Sequence, residues 1–347
     1  MRSGLMRMSE ADPAAVKQYL LGRQMKPEII DWKYFDAHFN RDRERGVVWV
    51  RDNQVAGFLG LIPFRIETDE VRADCAWSCD WSVDPLQGGG AGLLLLKGAG
   101  ELYDGIFNLG GSEKTRQIFP RLADRTVPNA GISLVLPLRL GSVFARLPQG
   151  MVRRLLTRQE SARQIPLRWV GSRKRIGFTI DPGLSALVLS LINDPPRGSW
   201  RPLYDCDFFD WQFRRCPAIA PWCCWVSSES PLRTAALVWR STSSKAFWRL
   251  AFCGETNDAQ KMEALIAAVI SFVHGQGCMA LFATASHLER DLIKSLGQRG
   301  FLRRGKLPLY AMRGRRAGLP IDEFCALSFL DADLAYRFEL NGASPER

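Results

Sequence analysis

Apolar residues along this chain fall mostly into short blocks bounded by turn residues. Val47–Val50, Val55–Phe64 and Ala73–Val83 are rich in β-branched and aromatic residues and read as strands, with Gly105–Leu109 a fourth. Thr234–Trp239, Ala246–Phe252 and Cys278–Ala283 repeat that pattern in the second half. Helical spacing appears at Met262, Leu265, Ile266, Val269, Ile270 and Val273, which predicts a helix over Ala259–Val273, capped by Asp258 and ended by Gly275. Ser9–Leu21 reads as an amphipathic helix with Asp12 and Pro13 suited to its start, and "SHLE" at Ser286–Glu289 is a capping-box pattern.

One echo organises these elements. "DWKYF" begins at Asp31 and "DWQFR" at Asp210, and "VAGFLG" at Val55 stands at the same offset from "TAALVW" at Thr234. Shared spacing and shared element order point to a duplicated unit. The expected fold class is α/β in the α+β sense: two tandem units, each a mixed, mostly antiparallel sheet flanked by helices. A length of 347 residues agrees with two domains. The expected division is 1–130, a connecting segment 131–180, and 181–347.

Charge changes the picture in one place. The chain carries a formal net charge of +11, and between Gly131 and Arg175 ten Arg and Lys residues are opposed only by Glu160. Such a stretch suits phosphates, anionic lipid or an acidic polymer, or is a solvated connector. The sequence contains no apolar run of the roughly 18 residues that a membrane helix needs. Met1–Met8 lacks the apolar middle of a secretion signal, so the expected location is the cytoplasm. Nine cysteines without a C-x-x-C pair, and three scattered histidines, lead to an expectation of reduced buried thiols and no metal site.

The candidate chemistry lies in "VDPLQGGGAG", Val83–Gly92, which runs into Leu93–Leu96. Pro85 stops the preceding strand, and a helix starts among the glycines. Missing Cβ atoms let a bulky anion approach the unpaired amides of the first helical turn, where the helix dipole favours negative charge. Leu93–Leu96 are expected to anchor that helix in the core. The loop has no Gly-Lys-Ser/Thr and lacks dinucleotide-fold spacing, so the two commoner phosphate loops do not apply.

Val83-x-Pro85-x-Gln87-x-x-Gly90-x-Gly92, with the upstream hairpin "VVWVRDNQVAGFLGLIPF" and the downstream "GIFNLGGSEKTRQIFPRL", resembles the signature of the GNAT (Gcn-five-related N-acetyltransferase) superfamily. The resemblance covers Val47–Leu122 and, more faintly, Thr234–Met312. It implies that acetyl-CoA or another acyl-CoA is the co-substrate. Gln87, Gly88, Gly89, Gly90, Ala91 and Gly92 would then hold the pyrophosphate, and Val83 would offer backbone groups to the pantetheine arm. It also places Asn108 near the thioester, although a turn role before Gly110-Gly111 fits that residue equally. The Tyr that many members use as general acid is missing between Ser112 and Leu122, where Pro120 should kink or end the helix. Ser112 is a substitute acid or simply a helix cap. Asp80, between Trp77 and Trp81, is the candidate base, with a structural hydrogen-bonding role as its alternative. The second half reads "CGETNDAQ" at Cys253–Gln260, whose carboxylates would repel a pyrophosphate.

The implied reaction is acyl transfer to an amine or hydroxyl of a small molecule or polysaccharide precursor by direct attack on the thioester. The tandem arrangement and "FLDADLAYRF" (Phe329–Phe338) are similar to acyltransferases associated with bacterial envelope and exopolysaccharide synthesis. Two alternatives are an aminoacyl-tRNA-dependent transferase of the peptidoglycan type, with tRNA as partner to the basic segment, and a non-catalytic binding protein of the same fold. Oligomeric state cannot be read from the sequence.

Overall fold

The computed structural model of the chain describes residues 3–39, 42–67, 72–87, 89–138, 176–179, 202–226, 234–254 and 259–315. The described strands are β1 (Gly4–Arg7), β2 (Gly46–Arg51), β3 (Gln54–Glu67), β4 (Arg72–Val83), β5 (Gly105–Leu109), β6 (Arg125–Pro137), β7 (Ile176–Thr179), β8 (Ile219–Val226), β9 (Thr234–Ser241), β10 (Phe247–Gly254), β11 (Ala280–Ser286) and β12 (Leu302–Arg313). The helices are α1 (Pro13–Gly22), α2 (Pro27–Ile30), α3 (Gly89–Leu102), α4 (Glu113–Leu122), α5 (Cys206–Phe209), α6 (Ala259–Gly275) and α7 (Arg290–Gln298).

All twelve strands join one sheet in the order β1-β2-β3-β4-β5-β12-β6-β11-β10-β9-β8-β7. Read from either edge the pattern is the same: five strands of one unit, then the last described strand of the other unit, then the unit's own sixth. β12 pairs antiparallel with both β5 and β6, and β6 pairs antiparallel with both β12 and β11. Each unit therefore completes its sheet with a strand from its twin. A boundary at residue 130 falls inside β6, whose continuous ladder carries the first unit into the second. Most of the basic segment, 139–175, lies outside the described residues, as do Asp258 and Phe329–Phe338.

The Asp-Trp echo marks the symmetry axis. Asp31–Phe35 and Asp210–Arg214 are both π-helical turns, each following a four-residue α-helix. Trp32 and Trp211 stack with centroids 4.5 Å apart. Trp32 Nε1 donates to the Trp211 carbonyl at 2.7 Å, and Trp211 Nε1 donates to the Trp32 carbonyl at 2.9 Å. Asp36 and Arg215, separated by the same offset, form an ion pair at 3.0 Å. Each buried indole thus satisfies a backbone acceptor of its counterpart, with about 1 kcal/mol expected per hydrogen bond and about 1 kcal/mol for the stacked pair.

Packing follows the sheet's two faces. One core runs across both units on the α1–α2–α5 face and includes Trp32, Phe58, Trp77, Phe107, Trp211, Phe213 and Trp239. On the other face α3 and α4 cover the first unit, with Leu95, Ala99 and Phe119 in the core, and α6 and α7 cover the second. Pro120 lies in the final turn of α4, and only Arg121 and Leu122 follow it before the helix ends, in keeping with the expected stop near the proline. Residues 8–10 form a 3-10 turn, and the first long helix begins at Pro13, where Ala14 N–H donates to Asp12 Oδ1 at 3.0 Å. Met8–Glu10 thus replaces the first turn expected from Ser9.

Candidate active site

β4 and β5 run parallel but pair only at Cys75–Gly105, Ala76–Ile106 and Trp77–Phe107. Past Trp77 the strands part, and among the described residues no strand lies beside the β5-facing edge of β4 from Ser78 to Val83. Asn108 stands at the fork. Its amide Nδ2 donates to the Ser78 carbonyl at 3.3 Å and to Ser78 Oγ at 3.1 Å, while Ser78 Oγ donates to the Phe107 carbonyl at 3.2 Å. Asn108 Oδ1 is buried and has no hydrogen-bond partner among the described residues. A buried acceptor left unpaired is costly, so an incoming N–H in the fork would be well received.

A bulge in β4 accompanies the fork. Phe58 pairs with Ser82 and Gly60 with Cys79, so Leu59 is opposed by two residues, Asp80 and Trp81. Asp80 sits at the bulge with φ +48°, in the left-handed region, a conformation that costs a non-glycine residue about 1–3 kcal/mol. Its carboxylate oxygen Oδ2 accepts hydrogen bonds from Lys33 Nζ and from the Tyr34 hydroxyl. The Lys33 side chain is fully buried and that of Asp80 is 16% exposed. A Cβ built on Gly60 would come within 2.1 Å of the Tyr34 hydroxyl oxygen, so only glycine in β3 leaves room for this contact.

At the end of β4, Asp84 N–H donates to the Ala56 carbonyl at 2.8 Å, and Pro85–Gln87 make a 3-10 turn. Leu86 N–H donates to Asp84 Oδ1 at 3.4 Å, which places Asp84 in the turn. α3 starts at Gly89; Gly88 lies outside the described residues. Gly90 is exposed, and a Cβ there would meet nothing within 4 Å. Ala91 is buried, and a Cβ on Gly92 would touch the Trp81 ring at 3.0 Å, so Gly92 seats the helix on β4. The first-turn amides have no intrahelical acceptor by geometry. Leu95 and Leu96 anchor the helix, whereas Leu93 and Leu94 are 48% and 39% exposed. Four consecutive leucines cannot share one face of a helix, and the expected Leu93–Leu96 anchor reduces to its second half.

Ser112 is exposed and caps α4. Its Oγ accepts from Thr115 N–H at 3.2 Å and lies 2.9 Å from Thr115 Oγ1. Asn108 thus stands at the fork, Asp80 at the bulge and Val83 at the end of β4, with Gly90 and Gly92 in the first turn of α3 and Ser112 just beyond β5. The residues that sequence reasoning missed are Lys33, Tyr34 and Ser78. A lysine between two aromatics in "DWKYF" was their only signal, because the pattern says nothing of where that turn folds back.

The second unit lacks the bulge, and its strands part later. β9 and β10 pair without a register shift, and β10 stays paired with β11 through Leu250–Ala283. Trp239 is opposite Arg249 as Gly60 is opposite Cys79, which makes Phe247–Ala280 the counterpart of Trp77–Phe107. Pairing continues for three residues past that point, and only Ala251–Gly254 of β10 run on beyond the last pair with β11. A polar cavity of about 950 Å³ opens elsewhere, at the end of the sheet where β4 begins, lined by Arg43, Asp74, Tyr103 and Arg315. Arg43 is bonded to Asp74 there, and the fork lies at the opposite end.

No family model matches the chain, and no curated protein matches it by sequence. Solved structures do match. A tandem GNAT protein from the clavulanic acid biosynthesis pathway aligns over 91% of this chain and 100% of its own, with a TM-score of 0.56 at 12% identity. The chain has a tandem GNAT fold. A GCN5-related N-acetyltransferase from Anabaena variabilis aligns over 89% of this chain and 72% of its own, with a TM-score of 0.54 at 10% identity. N-myristoyltransferase from Saccharomyces cerevisiae, solved with bound myristoyl-CoA, aligns over 84% and 74%, with a TM-score of 0.52 at 10% identity. Within the tandem GNAT fold the two units here differ as set out above: one is bulged and parts just past Trp77–Phe107, the other has no bulge and stays paired three residues further. No described helix is long and apolar enough to cross a membrane, and no metal-binding cluster occurs among the described residues.

Proposed function

We propose that the chain is an acyl-CoA-dependent acyltransferase whose N-terminal unit alone binds the co-substrate. The observation that carries this reading is the combination of a bulged β4, parted from β5 just past Trp77–Phe107, with a glycine-tipped helix; the second unit, with no bulge in β10 and no glycine in the first turn of α6, does not repeat it. The pantetheine arm of acetyl-CoA or another acyl-CoA would lie along the free edge of β4 between Ser78 and Val83. Asn108 Oδ1, buried and unpaired among the described residues, fits an amide N–H of that arm. The diphosphate would meet the amides from Gln87 to Gly92, where the chain passes into the first turn of α3, with the bare approach at Gly90 giving it room.

An acyl-CoA supplies an activated thioester. An amine or hydroxyl attacks its carbonyl carbon, the C–S bond breaks, and the departing sulfur takes a proton. Peptide N–H groups on the free edge of β4 can face the developing oxyanion. The acceptor enters from the α1–α2 side, where Tyr19 Oη lies 3.3 Å from Ser82 Oγ. An amino sugar or polysaccharide precursor is the acceptor class we favour, by analogy with the tandem proteins that the sequence resembles. Isothermal titration with acetyl-CoA tests the reading. Saturable 1:1 binding lost on Gly90→Glu supports it, and absence of binding to the wild type sinks it.

A further inference from the structure

Asp80 has a different task from the one its position first invites. It is the residue that makes the β4 bulge, held at φ +48°. Its Oδ2 is already taken up by two groups of the same π-helical turn, the Lys33 ammonium and the Tyr34 hydroxyl. That turn also carries Trp32, bonded reciprocally to Trp211 of the second unit. Arg45, itself buried, donates to the Lys33 carbonyl at 3.1 Å and fixes the turn from behind. A continuous line of contacts therefore runs from the symmetry axis through Lys33 and Tyr34 to the bulge beside the fork.

We propose that Lys33 and Tyr34 are positioning residues, which grip Asp80 in its left-handed conformation and so keep β4 parted from β5. Asp80 is then a brace and not the base. The second unit serves the first by fixing the turn that holds this brace. The counterpart of Lys33 across the axis is Gln212, and the second unit has no bulge for it to hold. The inference rests on the acyl-CoA reading only for its consequence in binding; the brace itself is a statement about β4.

The test uses the full chain. Lys33→Met keeps the bulk of the side chain and removes its charge. In that variant, amide hydrogen exchange over 78–83 should rise at least about tenfold without any ligand, while 234–241 stays as in the wild type. Acetyl-CoA affinity should fall by about tenfold or more. Lys33→Met/Asp80→Gly should recover affinity to within about threefold, because glycine adopts the left-handed conformation unaided. Lys33→Met/Asp80→Ala should stay weak. Unchanged exchange over 78–83 in folded Lys33→Met, or equal recovery by the Gly and Ala doubles, overturns the proposal. If Lys33→Met fails to fold, Tyr34→Phe, which removes one hydroxyl, is read in the same way. A wild type that takes no acetyl-CoA defeats the acyl-CoA reading instead, and the exchange measurement still decides the brace.

Discussion

Replacing Gly90 by glutamate should make the protein more stable and blind to its co-substrate. Nothing lies within 4 Å of a Cβ at this position, so the side chain enters open solvent without displacing a neighbour. Removing a helical glycine returns up to about 1 kcal/mol, and a carboxylate in the first turn, where α3 has no acidic residue, adds about 0.3–1 kcal/mol through the helix dipole. At roughly 2–4 °C per kcal/mol for a protein of this order of size, the melting temperature should rise by a few degrees. The same carboxylate repels a diphosphate about 4 Å away by about 1 kcal/mol per charge pair even at the dielectric of water. Two charges then give about 2 kcal/mol, or roughly thirtyfold in dissociation constant, and the loss grows as the site dries. Thermal melting and titration with acetyl-CoA read the two effects separately. Gly90→Ala, with volume but no charge, should share the stability gain and lose much less affinity. A Gly90→Glu variant that binds acetyl-CoA as tightly as the wild type would refute the placement of the diphosphate.

Gln212 is buried with neither amide atom hydrogen-bonded among the described residues, so Gln212→Met should stabilise the chain by about 1–3 kcal/mol in denaturant unfolding. Gly60→Ala should destabilise it by about 2 kcal/mol or more, since a Cβ would collide with the Tyr34 hydroxyl, and the exchange protection of β4 should fall with it. Trp211→Phe removes one of the two reciprocal bonds and leaves the Trp32 carbonyl without that donor, at an expected cost of about 1–3 kcal/mol. Alkylation of the native protein should mark exposed Cys206 well before Cys75, whose thiol is pushed up in pKa by burial first and by the nearby Asp104 and Asp74 carboxylates next; mass spectrometry of the digest reads the order.

The paired Asp-Trp segments disclosed the duplication because an indole that must bond its own counterpart cannot drift in sequence. The hairpin β2–β3, the strand β4 and the glycine-led start of α3 were equally plain, since each depends on contacts close along the chain. What local pattern could not show was which strand lies beside which across the centre. "RTVPNAGISLVLP" and "LRRGKLPLYAMR" carry polar residues at positions that their neighbours in the sheet make tolerable, so alternation there is weak. The role of Lys33 was hidden for a similar reason. Its meaning depends on a carboxylate 47 residues away, and nothing in the intervening chain announces that the two will meet.

The crossed strands also bear on how such a chain is made. Gly105 lies beside Arg313 in the finished sheet, so during synthesis the amino-terminal half waits with an open gap in its middle until β12, about 200 residues further on, has left the ribosome. Folding cannot proceed half by half: the long wait for distant partners slows it and leaves bare strand edges exposed to other nascent chains. A gene cut between the halves would yield two fragments, each missing its closing strand, and only when made together would they assemble.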